Sequence, residues 1–225
     1  MNEAYNDVLK RLKKERLRLS LTQEEMARYA RMNQSNYSKI ELGSRRLSYN
    51  ELKYLCDTDI DLYYIFTGCK CEGKYNEAFF DYSYLELLCI LNIISSIADL
   101  RCVKDGGDNR REAFSQTGLF RLSDWEYRLN RNVFLCLRQV LEYSQCEMAA
   151  KLGVDVKKLR MLENGGCMPD SELICKLYQM FKISPAVVLK DKQGLINEIC
   201  ILLNDMDEGT GKDEFQLVNS IQQTT

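Results

Sequence analysis

The residues of this chain best suited to chemistry at a surface lie in the run SLTQEEMARYARMNQSNYSKIELG, from Ser20 to Gly43. Gln34, Ser35, Asn36, Ser38 and Lys39 offer polar donors and acceptors at the start of a short helix. Such groups read base edges when a helix enters the DNA major groove. Bond-making chemistry finds no comparable constellation. The chain has no histidine for acid–base work, no Gly-rich phosphate loop and no nucleophile motif, so no catalytic residue is assigned and no enzyme is expected. There are ten cysteines, and Cys69-Lys-Cys71 with Cys56 invites a zinc reading. Paired CxxC spacing and a His partner are both missing, so no metal ligand or cofactor is expected, and Cys reads as a small core residue.

The elements that must position these polar groups carry their own signals. Thr22-Gln23-Glu24-Glu25 is a capping box, with the Thr22 hydroxyl accepting from the Glu25 amide and the Glu25 carboxylate reaching back to the Thr22 amide. A helix therefore begins at Gln23. Asn33 is a favoured N-cap for a second helix over Gln34 to Leu42, and Gly43 can end it in the left-handed conformation. Met26, Ala27, Ala30, Met32, Tyr37 and Ile40 form one apolar face across both helices, with small Ala27 where the axes cross.

This is a helix-turn-helix, and it resembles the Cro/phage-repressor family over roughly Val8 to Gly68. TQEEMA is similar to the family's second-helix opening, and SNYSKIELG to its recognition helix and following glycine. The resemblance implies an Arg16–Glu41 pair joining the first helix to the end of the third. It also implies base contacts from Gln34, Ser35 and Lys39, with Gln23, Asn36, Arg45 and Arg46 near phosphates. The free amide of Gln23 at the positive end of its helix suits that place. Arg31 departs from the family, which usually has Gly at the inter-helix turn; positive φ on a non-Gly residue costs roughly 1 kcal/mol.

Charge agrees with a nucleic-acid partner. The chain's formal net charge is −2, yet Val8 to Arg46 holds eleven Lys and Arg against four acids, a local excess of +7. That is an electrostatic footprint for phosphate. From Asn132 onward ten basic residues face thirteen acidic ones, so the two halves are unequal partners for DNA. Only two prolines occur and β-branched alternation is nowhere sustained, so the chain reads as all-α. No export signal precedes the first helix, and a cytoplasmic protein with reduced thiols is expected.

Taken in order, Tyr5 to Leu19 is a basic amphipathic helix facing inward through Leu9, Leu12 and Leu19. Ser48 to Glu51 is a second capping box, and Asp61 caps a short helix through Phe66 that closes at Gly68. Ala78 to Val103 is strongly apolar, but no run is free enough of polar groups for a membrane span. It reads as a long helix, serving either as a core between domains or as a dimer seam around Ile90 to Ile97. Asp105 to Arg111 reads as a loop, and Ser123 as the cap of a helix through Trp125 and Leu129 to Phe134. A terminal helix from Leu195 to Leu203 precedes an acidic tail after Asn204.

A shift of 122 residues lays the second half on the first. Ser144 to Glu147 repeats the capping box, Met148-Ala149 repeats Met26-Ala27, Asp155 takes the place of Asn33, and Arg138 and Glu163 take those of Arg16 and Glu41. Gly153 supplies the turn glycine where Arg31 stands, and Ile183-Ser184-Pro185 matches Ile60-Asp61-Leu62 with one added residue. The expected architecture is two lambda-repressor-like five-helix domains joined by a helical middle region. The first domain spans 1–68, a connector and possible dimerisation region 69–131, a second divergent helix-turn-helix domain 132–190, and a helix with an acidic tail 191–225. Gln34, Ser35 and Lys39 have become Val156, Lys157 and Met161, so the second unit is expected to act as scaffold or protein-partner surface more than as a reader of sequence.

The expected function is a sequence-specific transcription regulator, a repressor binding a palindromic operator on double-stranded DNA as a homodimer. The competing reading is a protein-interaction module, such as an antitoxin or an anti-repressor partner. Intact Gln34 and Lys39 on the basic N-terminal surface favour DNA.

Overall fold

A computed structural model of the chain describes residues 3–71, 76–104 and 132–209. Among these the regular structure is entirely helical. The first five helices are α1 (Glu3–Arg18), α2 (Gln23–Tyr29), α3 (Gln34–Glu41), α4 (Tyr49–Cys56) and α5 (Leu62–Thr67). Four of them have only six to eight residues, too short to persist alone in water, so caps and packing must hold them. Glu25 N donates to Thr22 Oγ1 at 3.2 Å while Thr22 N donates to Glu25 Oε2 at 2.7 Å. Ser48 and Glu51 make the same reciprocal pair at the start of α4. Asn33 Oδ1 accepts from Asn36 N at 2.8 Å, and Asp61 Oδ1 from Tyr64 N at 2.8 Å. Leu9 and Leu12 of α1 are buried with Met26, Ala27, Tyr37, Ile40, Leu52 and Leu55. Arg31 does adopt positive φ, at 51°. Its guanidinium lies 4.1 Å from the centroid of the Tyr54 ring, a cation–π contact that offsets about 0.5–1 kcal/mol of the backbone strain.

After a 3-10 turn at Asn76–Phe79 comes α6 (Tyr84–Lys104). The second half holds α7 (Val133–Val140), α8 (Gln145–Leu152), α9 (Val156–Glu163), α10 (Ser171–Phe181) and α11 (Pro185–Leu189), followed by α12 (Lys192–Gly209). The hydrogen bonds of the first half recur at the shift of 122. Glu147 N donates to Ser144 Oγ at 3.2 Å and Ser144 N to Glu147 Oε2 at 2.7 Å, Lys158 N donates to Asp155 Oδ1 at 2.7 Å, and Gly153 has φ 65° at the turn. The helix that contains Phe134 differs from the expected one. Asn132 is extended, with φ −70° and ψ 135°, and its side chain accepts from Phe134 N, so this helix opens at Val133. Ser123, Trp125, Leu129 and the Asp105 to Arg111 stretch lie outside the described residues, as does the tail from 210 onward. The final helix runs past Asn204 to Gly209, because a helix can carry exposed acids once an apolar stripe anchors it.

Two apolar clusters organise the chain. One runs through both halves, from Leu12, Tyr37 and Leu55 to Phe134, Leu159 and Leu177. The other lies between α6 and α12, where Leu87, Leu88, Leu91 and Ile94 meet Leu195, Ile196, Ile199 and Cys200. Within the α6 stretch read as a possible dimer seam, Leu91 and Ile94 are buried in the cluster shared with α12, while Ile90, Ile93 and Ile97 are half-buried. Leu85, in the first turn of α6, is 52% exposed. No helix among the described residues is long and apolar enough to cross a membrane.

The halves are joined through specific polar contacts. Ser171, buried at the first turn of α10, donates its amide to Leu47 O at 2.9 Å and accepts from Leu47 N through Oγ at 3.1 Å. Its hydroxyl also bonds the buried Tyr5 hydroxyl at 2.6 Å. Lys53 of α4 donates to Leu189 O at 2.9 Å and caps α11. The equivalent carbonyls of α5, on Ile65 and Phe66, are capped instead by Arg11 at 2.7 and 3.0 Å. By the 122-residue shift the counterpart of Lys53 is Cys175 and that of Arg11 is Val133. The same terminal-carbonyl need is met from α4 in one half and from α1 in the other.

Candidate nucleic-acid interface

The position of α3 rests on a relay of side chains that starts in α1. Arg16 Nε donates to Glu41 Oε1 at 2.7 Å, and its Nη1 donates to Leu21 O at 2.8 Å, so one guanidinium ties α1, the α1–α2 turn and the end of α3. Glu41 Oε2 accepts from Gln23 Nε2 at 2.8 Å, and Gln23 Oε1 accepts from Gln34 Nε2 at 3.1 Å. Burial alone would raise the Glu41 pKa, but Arg16 and Gln23 outweigh it and hold the carboxyl below its usual range. The carboxylate therefore stays charged and keeps accepting. The buried Tyr37 ring lies beside this pair, and burial pushes its phenol well up, so it remains neutral.

Above the relay, Gln34, Ser35 and Lys39 are exposed and Asn36 is half-buried. They lie along α3, Gln34 with one Nε2 hydrogen committed to Gln23, and Lys39 enters no ion pair among the described residues. Gln23 is half-buried because it links Glu41 to Gln34. The role of Gln23 as support beneath Gln34 is not visible in spacing, since the two residues belong to different helices. The pairing of Arg16 with Glu41 could be found only through the resemblance.

The two loop arginines are engaged by carboxylates. Arg45 Nη2 pairs with Glu51 Oε1 at 2.5 Å, the same Glu51 that caps α4, and Arg45 Nη1 lies 3.4 Å from Met32 Sδ. Arg46 pairs with Glu172 and lies 3.7 Å from Asp170, both in the second half. The side chain of Arg46 is nonetheless 54% exposed. Lys13, Lys14 and Arg28 are exposed cations on the same basic half.

On the second half the relay recurs but its surface does not. Arg138 pairs with Glu163, and Gln145 Nε2 donates to Glu163 Oε2 at 2.8 Å. The residue in the place of Gln34 is Val156, which is half-buried against the core, so it faces outward less than its position suggests. Met161 is exposed, as are Lys157 and Arg160, while Lys158 lies 3.8 Å from Asp170.

Comparison with curated proteins and with solved structures finds no match. A family comparison does: residues 12–58 match the model of the Helix-turn-helix family, of Cro/C1 type. The matched stretch runs from Leu12 of α1 to Thr58 just past α4 and includes the whole relay from Arg16 to Gln34. Match and geometry agree that residues 12–58 are a Cro/C1-type helix-turn-helix, the unit of DNA-binding transcription regulators.

Proposed function

We propose that this chain is a sequence-specific repressor that lays α3 in the major groove of an operator. Gln34, Ser35 and Lys39 meet base edges, and Gln23, Asn36 and Arg45 lie toward the phosphates, with Arg46 at the edge of the contact. The observation that carries this reading is the relay that fixes Gln34: a carboxamide held by Gln23, itself held by an ionised Glu41, is pre-organised for bidentate pairing with one base. Residues 1–68 make up the reading domain, and 132–190 a second, divergent helix-turn-helix of the same kind. The recurrence of the caps and of the Arg138–Glu163–Gln145 set supports that second unit.

Dimeric helix-turn-helix proteins bind two half-sites about one helical turn apart. The homodimer expected from the sequence would supply the two reading units from two chains. With Leu91 and Ile94 packed on α12, a homodimer through α6 would rest on its half-buried Ile90, Ile93 and Ile97. Selecting bound duplexes from a random pool tests the function directly. The expected result is one enriched motif whose binding falls with Gln34→Ala and with Lys39→Ala. Enrichment of no motif, or a motif indifferent to both substitutions, would remove α3 from the reading role.

A further inference from the structure

Three of the helix contacts between the halves form a reciprocal set, beside one-sided contacts such as that of α1 with α10. Matching the halves by the 122-residue shift pairs α4 with α10 and α5 with α11. Across the junction α5 packs on α11, α4 packs on α11, and α10 packs on α5. Exchanging the halves turns the second of these contacts into the third and leaves the first unchanged. That is the pattern of an isologous two-fold interface, formed here within one chain. A second point fixes where the pseudo-axis runs. The backbone of Leu47 meets Ser171, and by the shift Leu47 corresponds to Pro169 and Ser171 to Tyr49. Applied to this contact, the same exchange puts the axis beside Ser48 and Asp170, the N-caps of α4 and α10, and between α5 and α11.

This placement has a direct result for the two candidate recognition helices. The loop after α3 and the loop after α9 end at the same spot, where Asp170 lies 3.7 Å from Arg46 of the first loop and 3.8 Å from Lys158 of α9. The loop that follows α3 and helix α9 therefore meet at one junction beside the pseudo-axis. Both acids at that junction are matched by cations, Asp170 by Arg46 and Lys158 and Glu172 by Arg46 and Lys176. Lys157 and Arg160 remain exposed on α9, while the position corresponding to Gln34 holds a half-buried Val156.

Resting on the assignment of α3 as the reading helix, we infer that one chain is an internal pseudo-dimer that occupies two adjacent half-sites on duplex DNA as a monomer. Helix α3 reads sequence at one half-site. Helix α9 contacts the phosphates of the other through Lys157 and Arg160 with little base preference. The operator is accordingly asymmetric, one informative half beside one permissive half, and no second copy is required.

The test uses the full chain and a duplex carrying the selected motif with long flanks. Sedimentation and titration should give one chain per duplex. The footprint should extend about one helical turn beyond the informative half, on one side only. The double variant Lys157→Glu/Arg160→Glu changes exposed residues, and an unchanged thermal melt verifies its fold. It should bind roughly ten-fold or more weakly, lower the salt slope by about two, and select the same motif. Two chains on a palindromic motif would overturn the internal pseudo-dimer while leaving α3 as reader. A one-chain footprint confined to the informative half, with the double variant binding like wild type, would overturn the role of α9 and leave that surface to a protein partner. Failure to select any motif strikes the function itself, so the two levels fail separately.

Discussion

Gln34 donates from Nε2 to Gln23 Oε1 at 3.1 Å, so the residue proposed to read a base is oriented by a residue of the preceding helix. Two substitutions therefore act on one interaction. Gln34→Ala is expected to weaken operator binding by about 1–3 kcal/mol and relax one base position. Gln23→Ala should relax the same position by less, and the double variant should discriminate at that position no worse than Gln34→Ala alone, because interacting residues are non-additive. Binding assays on duplexes varied at each position measure this. Additive losses at two different positions would mean that the two carboxamides act independently.

Arg46 offers a choice between two roles that salt dependence separates. Its ion pairs with Glu172 and Asp170 place it at the junction of the halves. Because its side chain is about half exposed, removal should cost only about 1 kcal/mol of stability. Arg46→Ala should therefore lower the melting temperature slightly and leave the salt slope of operator binding unchanged. A slope flattened by about one would assign Arg46 a phosphate contact instead.

The turn at Arg31 combines a strained backbone with a favourable side-chain contact. Arg31→Ala keeps the positive φ of 51° and removes the stack on Tyr54, so it should destabilise the chain by about 1 kcal/mol. Arg31→Gly removes the strain and the stack together and should be close to neutral, within about 0.5 kcal/mol. Denaturant midpoints compare the three proteins. If Gly were as damaging as Ala, strain at this turn would be negligible.

Glu198 makes stability depend on pH. Burial pushes its pKa up to about 7, against the opposing hydrogen bond from the Ser184 hydroxyl. The folded state thus binds this proton more tightly than the unfolded chain does. Its favourable contribution is fully present below the ordinary carboxylate range, is lost as pH rises toward about 7, and does not change further above that. The span is about 3 kcal/mol. Asp61 and Asp191, also raised by burial, act in the same direction. Glu198→Gln should stabilise the chain at pH 8 relative to wild type and converge with it near pH 4. Equal stability of the two proteins at both pH values would show that Glu198 does not titrate on unfolding.

What could be read from the residues alone follows from the range of the interactions. Capping boxes at Thr22, Ser48 and Ser144 are four-residue signals, and each appears as anticipated at a helix start. Apolar spacing likewise marks the buried faces of α1 and α12. Periodicity shows that a face is apolar but not what covers it, which is why α6 was legible as a buried helix and its α12 partner was not. Arg46 finds its carboxylates more than a hundred residues away, a pairing with no local signature. The Gln23–Gln34 contact depends on how two short helices cross, and composition at either residue does not encode that angle.

The reciprocal packing of α5 and α11 also bears on how occupancy responds to protein level. Two subunits that must meet before reading an operator respond, when dilute, to the square of their concentration. Two units built into one polypeptide respond to its first power. Binding by a chain paired with itself is therefore graded instead of threshold-like. An inactive allele encoding a chain that cannot read DNA would leave its intact counterpart unaffected, since there is no mixed pair to form.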